Sequence, residues 1–476
     1  MKRPKLKRPE IRFLEKNLVS KLLAGLLALA SLGTLSSRAQ TFSFDLAQAL
    51  AEARDGDTIV IPPGVYQGPF TIDKSVTLVG QDWPVIDGRG LGDVLTVTVP
   101  DVTIEGLVVQ NSGASLNDEN AGVTGLAPRI TVQGNRLKDV LFGVYLKEAP
   151  NSIVRDNVIG GKDLDIARRG DAIRLWYCAG SLIEGNHASH GRDVVIWFSP
   201  NSTIRRNVVE YGRYGLHFMY SDDEIIEENV LRHNSVGAFL MYSRRLTLRR
   251  NLFYNNRGPS GYGLALKDMD DVLVEGNRSI NNRLGFYLDN SPRSLDAIGT
   301  FRHNLIAYND AGIGLLTLVR RNQFTQNVFQ ENGTQVSAEG GRELAGNAWH
   351  SEGLGNYWSD YAGYDGNGDG VGDVPYRSQS TFENLMDEYP GLRLFQLSPV
   401  ADAIDLAARA FPLFQPRPKM HDDYPLMEPP SLPPVPGISS PARLPAILTA
   451  LGLLALGGLV IVGGIKGDFS WTQLSL

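Results

Sequence analysis

The sequence of 476 residues contains a single cysteine, Cys178, so no disulfide can form within the chain and the fold depends on its hydrophobic core. Long helical periods are scarce, whereas glycine is abundant at 51 residues, a balance that favours short strands and turns. An excess of positive charge is also missing. The net charge is −6, which gives no indication of a nucleic-acid partner.

Both ends of the chain carry apolar runs that predict contact with a membrane. Residues 1–39 have the pattern of a signal peptide, with a basic region before the apolar run Leu22–Leu32 and small residues at a cleavage position. Residues 444–465 are 22 positions without a charge, long enough for a transmembrane helix. The glycines of this segment would permit packing against another membrane helix. The alternative, given equal weight, is that the segment is a simple tether. A Pro-rich linker over residues 429–443 would join this anchor to a body outside the cytoplasm.

An asparagine recurs in a shared local pattern at intervals of 21 to 29 residues. A period of this size, with two short alternating strands per repeat and no helix-length segment, predicts a solenoid of parallel β-coils of about 22 residues each. Asparagine suits the corner of a coil because it tolerates left-handed backbone and can bond along the stack. The recurring residues are Asn135, Asn157, Asn186, Asn207, Asn229, Asn251, Asn277, Asn304 and Asn327.

A segment with helical spacing, Phe44–Ala53, precedes the first coil and would cover its open end. With the following Gly56–Gly64 it resembles the start of many pectin-lyase-like right-handed β-helices. We therefore expect an all-β, right-handed, single-stranded parallel β-helix with its N-terminal capping helix over residues 40–345. A C-terminal section over residues 346–428 would follow it.

Alignment of the coils on their asparagines predicts which side chains face outward. One outward column carries Trp176, Trp197, Met219 and Met241 on consecutive coils, about 4.8 Å apart along the stack, with His217 on the same strand and face as Met219. Two thioethers and an imidazole suit Cu(I) better than zinc, magnesium or calcium, so the three Met and His residues are candidate copper ligands. The tryptophans would shield the ion or dock a partner. The alternative is ordinary packing of the methionines under a loop or a second subunit.

Two weaker candidate sites lie in the C-terminal section. Met420, His421 and Met427 form a small cluster that would offer a second copper contact. An acidic loop alternates oxygen side chains with glycines as at the start of an EF-hand, and it predicts either a calcium site or a Gly-rich turn, since a tyrosine stands at the twelfth position. The loop residues are Asp365, Asn367, Asp369, Val371 and Asp373.

Several motifs resemble the NosD family of accessory proteins for nitrous oxide reductase maturation: Arg174–Tyr177, Val195–Ser199, Tyr214–Ser221, Phe239–Ser243 and Gly355–Tyr361. The resemblance implies a periplasmic β-helix that is not an enzyme and associates with the ATPase and permease of a membrane ABC transporter. It implies a role in handling copper or supplying sulfur for the copper centres of nitrous oxide reductase, with that enzyme and a copper chaperone as clients. The C-terminal membrane helix departs from the soluble form expected of the family.

The main alternative is a polysaccharide lyase, hydrolase or epimerase, because many β-helices of this class act on sugars. Such an enzyme needs paired carboxylates, often with basic residues and calcium, along one outward groove. The aligned columns carry Trp, Met and His instead, and a purely structural, adhesin-like solenoid would leave that patch without a role. The nearest catalytic constellation, largely in an inserted loop, is Asp163, Asp165 and Asp171 with Arg168, Arg169 and Arg174.

Overall fold

The computed structural model describes residues 44–316, 318–339, 344–378, 380–396, 398–410 and 418–437. The predicted signal peptide and the predicted membrane helix at residues 444–465 lie outside these ranges. Among the described residues, no helix is both long enough and apolar enough to cross a membrane.

The described part of the chain contains a parallel β-helix of twelve coils, in which each coil gives one strand to each of three parallel sheets, and a thirteenth strand, Tyr357–Trp358, extends sheet B. Sheet A contains Thr58–Ile61, Thr77–Gly80, Thr103–Glu105, Thr131–Gln133, Ile153–Arg155, Leu182–Glu184, Thr203–Arg205, Ile225–Glu227, Thr247–Arg249, Leu273–Glu275, Gly299–Arg302 and Asn322–Thr325. Sheet B contains Val65–Gln67, Val85–Asp87, Val108–Gln110, Arg136–Val140, Val158–Gly161, His187–Ser189, Val208–Glu210, Val230–Arg232, Leu252–Tyr254, Arg278–Ile280, Leu305–Ala307, Val328–Gln330 and Tyr357–Trp358. Sheet C contains Phe70–Ile72, Leu95–Val97, Ala121–Gly125, Phe142–Lys147, Ile173–Trp176, Asp193–Trp197, Tyr214–Met219, Val236–Met241, Tyr262–Lys267, Leu284–Asp289, Ala311–Leu316 and Thr334–Glu339.

The prediction of two strands per repeat was wrong, because each coil has three. The sequence run Thr203–Val209 looks like one alternating strand but is divided by a corner at Arg206, whose φ of 55° lies in the left-handed region. The parts on either side, Thr203–Arg205 and Val208–Glu210, belong to sheets A and B.

The recurring asparagines form a buried ladder along this corner. In Asn207 the backbone N–H and the side-chain Nδ2 both donate to Oδ1 of Asn229 at 3.0 Å, and the same pattern continues from Asn229 to Asn251. The predicted bonding along the stack is confirmed. The predicted left-handed asparagine was wrong, since the positive φ belongs to the preceding residue, as at Arg206 and Glu228. Each asparagine therefore points inward and satisfies backbone groups that the corner would otherwise leave buried and unpaired.

Helices cover both ends of the coil stack. The predicted N-terminal cap is present as the helix Leu46–Glu52, which buries Leu46 and Leu50 beside the first coil. A 3₁₀ turn at Ile166–Arg168 lies in the loop before Ile173. At the C-terminal end, the helices Thr381–Glu388 and Pro399–Ala410 pack on each other, and the first of them packs on the last strand of sheet C. The 3₁₀ helix Pro390–Phe395 connects them, and a short antiparallel pair joins Tyr376–Arg377 to His421–Asp422.

The segment after the C-terminal section returns along the outside of sheet B. Val435 is buried against Val230 and Leu252, and the carbonyl oxygen of Pro433 accepts a hydrogen bond from Nη2 of Arg278 at 3.1 Å. We call residues 429–437 the strap. Its contacts fall on three successive coils, so the first part of the predicted linker is packed on the body.

Candidate metal site

The outward column predicted on sheet C has the expected register. Trp176 pairs with Trp197, Trp197 with Met219 and Met219 with Met241, so the four side chains lie on four consecutive coils. Both methionines are half-buried. The structure thus brings the two thioether side chains to adjacent positions of neighbouring strands, on the face opposite the core residue Phe218.

A second outward column lies beside the first and carries Tyr145, Val195 and His217, and it is largely covered instead of facing solvent. Tyr145 and Val195 are buried although they point away from the core. Phe142 and Tyr145 form a hydrophobic cluster with side chains of two loops, Leu116 and Leu164, which reach over this end of sheet C. Loop length, which strand alternation does not describe, decides how exposed such positions are.

His217 occupies this covered column and is held by its neighbours. Its side chain is only 7 % exposed, and Nδ1 lies 2.9 Å from Oδ2 of Asp193 on the preceding coil. The rings of Trp197 and Tyr214 both meet the imidazole edge to face, with centroids 5.1 Å away. A carboxylate only accepts hydrogen bonds, so Nδ1 carries the proton.

The other ring nitrogen of His217 has no protein partner. Within the ranges that the structure describes, Nε2 is buried and forms no hydrogen bond, and the same is true of Nε1 of Trp197. A buried polar atom without a partner costs about 1–3 kcal/mol and calls for an explanation. An imidazole with Nδ1 hydrogen-bonded and Nε2 free has the donor atom that a metal ion needs.

Asp193 belongs to a buried network of opposite charges. Burial raises its pKa, but hydrogen bonds from His217 and Arg213 prevail, and the net effect is a lowered pKa. It is therefore ionised at neutral pH. Asp171, on the adjacent coil, has its pKa raised to about 6 by burial and by the charge of Asp193.

Trp176 and Trp197 pack against each other and against the guanidinium of Arg174. Their ring centroids are 5.7 Å apart, and the guanidinium of Arg174 lies 5.5 Å from each. Arg174 also donates to Glu119 at 2.8 Å. The structure therefore gives these tryptophans an internal packing role beside the predicted docking or shielding role.

The residues of the polysaccharide-acting alternative are separated by burial. Asp171 is 1 % exposed and is paired with Arg192 at 3.1 Å, whereas Asp163 and Asp165 are exposed in the loop. Arg168 is likewise exposed. A paired set of carboxylates on one open groove does not form from these side chains.

The weaker copper cluster is divided between interior and surface. Met420 is buried, His421 has a side chain 62 % exposed, and Met427 is half-buried. The backbone N–H of Met427 donates to the carbonyl of Gly370, so this segment is packed against the acidic loop.

The carboxylates of the acidic loop mainly accept hydrogen bonds from the backbone of the loop itself. Asp365 accepts from the backbone N–H groups of Gly368 and Gly370, and these bonds lower its pKa. Asp369 and Asp373 accept from the backbone of Val371 and Gly366 in the same way. Among the described residues, no three His, Cys, Asp or Glu side chains form a metal-holding group. Met219 and Met241 are thioethers and lie outside that set of side chains.

Sequence reasoning did not identify Asp193 or Arg213. A β-bulge shifts the register here, with Asp193 opposite Tyr214 but Val195 opposite His217. The strand that carries His217 therefore has one more residue between these two pairs than the strand that carries Asp193. An alignment with fixed strand period cannot place a side chain across such a bulge. The only available signal was the extra residue between Asn207 and His217 relative to the preceding coil.

Comparison with known proteins identifies relatives over almost the whole chain. The profile of a family described as "Periplasmic copper-binding protein (NosD)" matches residues 156–363. A "probable ABC transporter binding protein NosD" of Pseudomonas aeruginosa is 32% identical over 425 residues, which cover 86% of this chain and 96% of the relative. The protein of the same description from Stutzerimonas stutzeri is 30% identical over 388 residues, covering 78% and 87%.

Among solved structures, the A-modules of the Azotobacter vinelandii mannuronan C-5 epimerases AlgE6 and AlgE4 are similar to the chain in fold. Their TM-scores are 0.52 and 0.51 at 15% identity, over 64% and 63% of this chain and 92% and 93% of theirs. This similarity concerns the β-helix alone. Because a relative matched over nearly all of its length has about a third of its residues in common with this sequence, the chain belongs to the NosD family of ABC transporter binding proteins.

Proposed function

We propose that the chain is a periplasmic component of an ABC-transporter complex that receives and delivers Cu(I) for assembly of the copper centres of nitrous oxide reductase. The observation that carries the proposal is the buried, unpartnered Nε2 of His217 on the same face as the adjacent Met219 and Met241. The description of the family as copper-binding supports the same cargo. A sulfur species is the alternative cargo, and it does not account for this imidazole.

The donor set matches the chemistry of a cuprous ion. Thioether sulfur and neutral imidazole are soft or borderline ligands, and they select Cu(I) over hard cations that require carboxylates. Thioethers and a neutral imidazole carry no charge, so they would bind a monovalent ion without direct charge attraction from the ligands, which suits a protein that must release its cargo. The edge of Trp197 borders the imidazole and would limit access of water to the ion.

The remaining assignments follow from the family and the ends of the chain. The relatives' names support association with the ATPase and permease of an ABC transporter, and residues 444–465 would hold the body beside that permease at the cytoplasmic membrane. Nitrous oxide reductase and a copper chaperone would be the clients. Met420, His421 and Met427 remain a proposed second contact for copper, and the loop from Asp365 to Asp373 remains a proposed calcium site.

The test is Cu(I) affinity of the full chain in detergent, measured without oxygen by competition with a chromophoric Cu(I) chelator. The combined variant His217→Ala, Met219→Leu and Met241→Leu removes the three donors while it retains most of the side-chain volume. We expect at least a hundredfold weaker binding. Met269→Leu, a buried methionine elsewhere in the stack, is the matched control. Unchanged affinity in the combined variant would reject the site, and depolymerisation of a uronate polymer by the same sample would support the polysaccharide-acting alternative.

A further inference from the structure

Asp193 and His217 come together beside the β-bulge in sheet C. At the bulge Asp193 lies opposite Tyr214, and its carboxylate reaches Nδ1 of His217 at 2.9 Å. Asp193 is only 2 % exposed, so water does not compete for this contact. A buried negative charge therefore lies directly behind the imidazole.

Arg213 fixes Asp193 from the other side. Its Nε donates to Oδ1 of Asp193 at 3.0 Å, and its Nη2 donates to Oδ2. The guanidinium lies 4.4 Å from the ring centroid of Tyr214, which itself borders His217. Paired hydrogen bonds from a planar guanidinium restrict the carboxylate in both position and orientation. The order of contacts is thus Arg213 to Asp193 to His217.

We propose that Asp193 is a positioning residue for metal binding, which holds His217 in the tautomer that leaves Nε2 as its only metal donor. The proposal rests on the copper site proposed above and adds a group that does not itself touch the ion. A carboxylate that accepts from the remote N–H of a ligating histidine fixes the ring plane and makes the donor nitrogen more basic, and its removal typically weakens metal binding about 10–100-fold. A neutral Ser, Thr or Asn at this position would lack the negative charge of Asp193. It could not accept the hydrogen bonds of both His217 and Arg213 as a carboxylate does.

The test uses Asp193→Asn in the full chain. An amide has one acceptor oxygen and presents N–H groups to one of its two hydrogen-bond donors, so it cannot accept from both Arg213 and His217. We expect Cu(I) binding to weaken about 10–100-fold. We also expect the ¹⁵N signals of His217, assigned with the His217→Ala variant, to change from protonated Nδ1 and free Nε2 to a tautomer mixture. Asp222→Asn, a partly exposed carboxylate one coil further on, should alter neither measurement.

The outcomes separate the two proposals. If the unmodified chain binds no Cu(I), the proposed function falls, and the role of Asp193 in it falls too. If the unmodified chain binds Cu(I) and Asp193→Asn matches it in affinity and in the His217 spectrum, only the positioning role is overturned. Arg213→Lys is the second variant in case Asp193→Asn does not fold. It keeps the charge but loses the paired geometry, and it should weaken Cu(I) binding by a smaller factor with the same spectral change.

Discussion

The carboxylate of Asp422 accepts a hydrogen bond from the indole Nε1 of Trp358 at 3.0 Å. The same oxygen accepts from the backbone N–H of Asn356 at 2.7 Å. Asn356 is the final rung of the asparagine ladder, and it receives the hydrogen bonds of Asn327. The motif Gly355–Tyr361, which carries part of the family resemblance, is thus the place where the ladder is closed.

We predict that Asp422→Ala destabilises the C-terminal end of the stack. The change leaves two buried N–H groups without an acceptor, which costs about 2–4 kcal/mol in the free energy of unfolding. Urea denaturation followed by tryptophan fluorescence measures it, because Trp358 stacks on Phe329 and Tyr376 and reports on this region. The neighbouring Asp423→Ala, at an exposed side chain, is the control. Equal midpoints for the two variants would contradict the closing role.

Asn229→Ala should lower the free energy of unfolding more than the substitution of an exposed asparagine does. Asn229 accepts twice from Asn207 and donates to the carbonyl of Ile204 and to Oδ1 of Asn251. Loss of these buried bonds should lower the free energy of unfolding by about 3 kcal/mol. The control is Asn201→Gly at an exposed position with φ of 62°, where glycine is tolerated. A midpoint shift no larger than that of the control would show that the ladder contributes little.

Glu224 should make the protein less stable as the pH rises. It is 1 % exposed, neither carboxyl oxygen has a hydrogen-bond partner among the described residues, and burial raises its pKa well above the usual value. The folded state therefore keeps a proton that the unfolded chain loses above about pH 4.3. The contribution of Glu224 to stability is greatest below that pH and is lost as the pH rises towards the folded pKa.

The variant Glu224→Gln removes this dependence. We expect it to exceed the unmodified chain in unfolding free energy by about 1 kcal/mol or more at pH 8, with a smaller difference at pH 4. Thermal unfolding at the two pH values provides the measurement. Glu352→Gln, at an exposed residue, should show no such trend. A difference that is independent of pH would mean that Glu224 is ionised in the folded protein.

Val435→Asp should detach the strap from sheet B. The buried valine contacts Val230 and Leu252, and a carboxylate there would be desolvated without a partner. We expect faster cleavage within residues 429–437 in limited proteolysis, while the coil stack stays intact. Ser431→Asp, which adds the same charge at an exposed position of the strap, should leave the cleavage rate unchanged. Similar rates for both variants would show that Val435 does not hold the strap.

The sequence was most informative where one physical rule repeats. Asparagine spacing alone predicts the register that pairs Met219 with Met241, since each coil must align its neighbour to keep apolar residues inside. Strand alternation turns Leu216 and Phe218, which flank His217, to the opposite face, and both are buried in the core. The third strand of each coil was missed because the corner at Arg206 is made by an ordinary residue with positive φ, which leaves no glycine or proline signal.

Features that depend on contacts between distant parts of the chain were not predictable. Asp193 meets His217 across a bulge, and Leu116 and Leu164 cover the outer column from separate loops. Asp422 reaches Trp358 from 64 residues away. Each of these contacts depends on the path of a loop or an irregular strand, and neither period nor composition specifies that path.

The asparagine ladder also gives the stack a direction. From Leu107, whose N–H donates to Asn135, through Asn327, every backbone N–H of the ladder donates to the coil that follows, so these backbone N–H groups are aligned along one line as they are in an α-helix. The side-chain Nδ2 groups also donate to carbonyl groups of the preceding coil. The positive end of that line faces the last coil. At that end the carboxylate of Asp422 accepts the hydrogen bond of the last backbone N–H, that of Asn356. A further asparagine could accept the same bond, but its own backbone N–H would then need an acceptor. A coil could therefore be inserted or removed within the ladder, because each coil offers the same acceptor to the coil before it and the same donor to the coil after it. The two ends of the ladder are not interchangeable, since one end needs a donor and the other needs an acceptor.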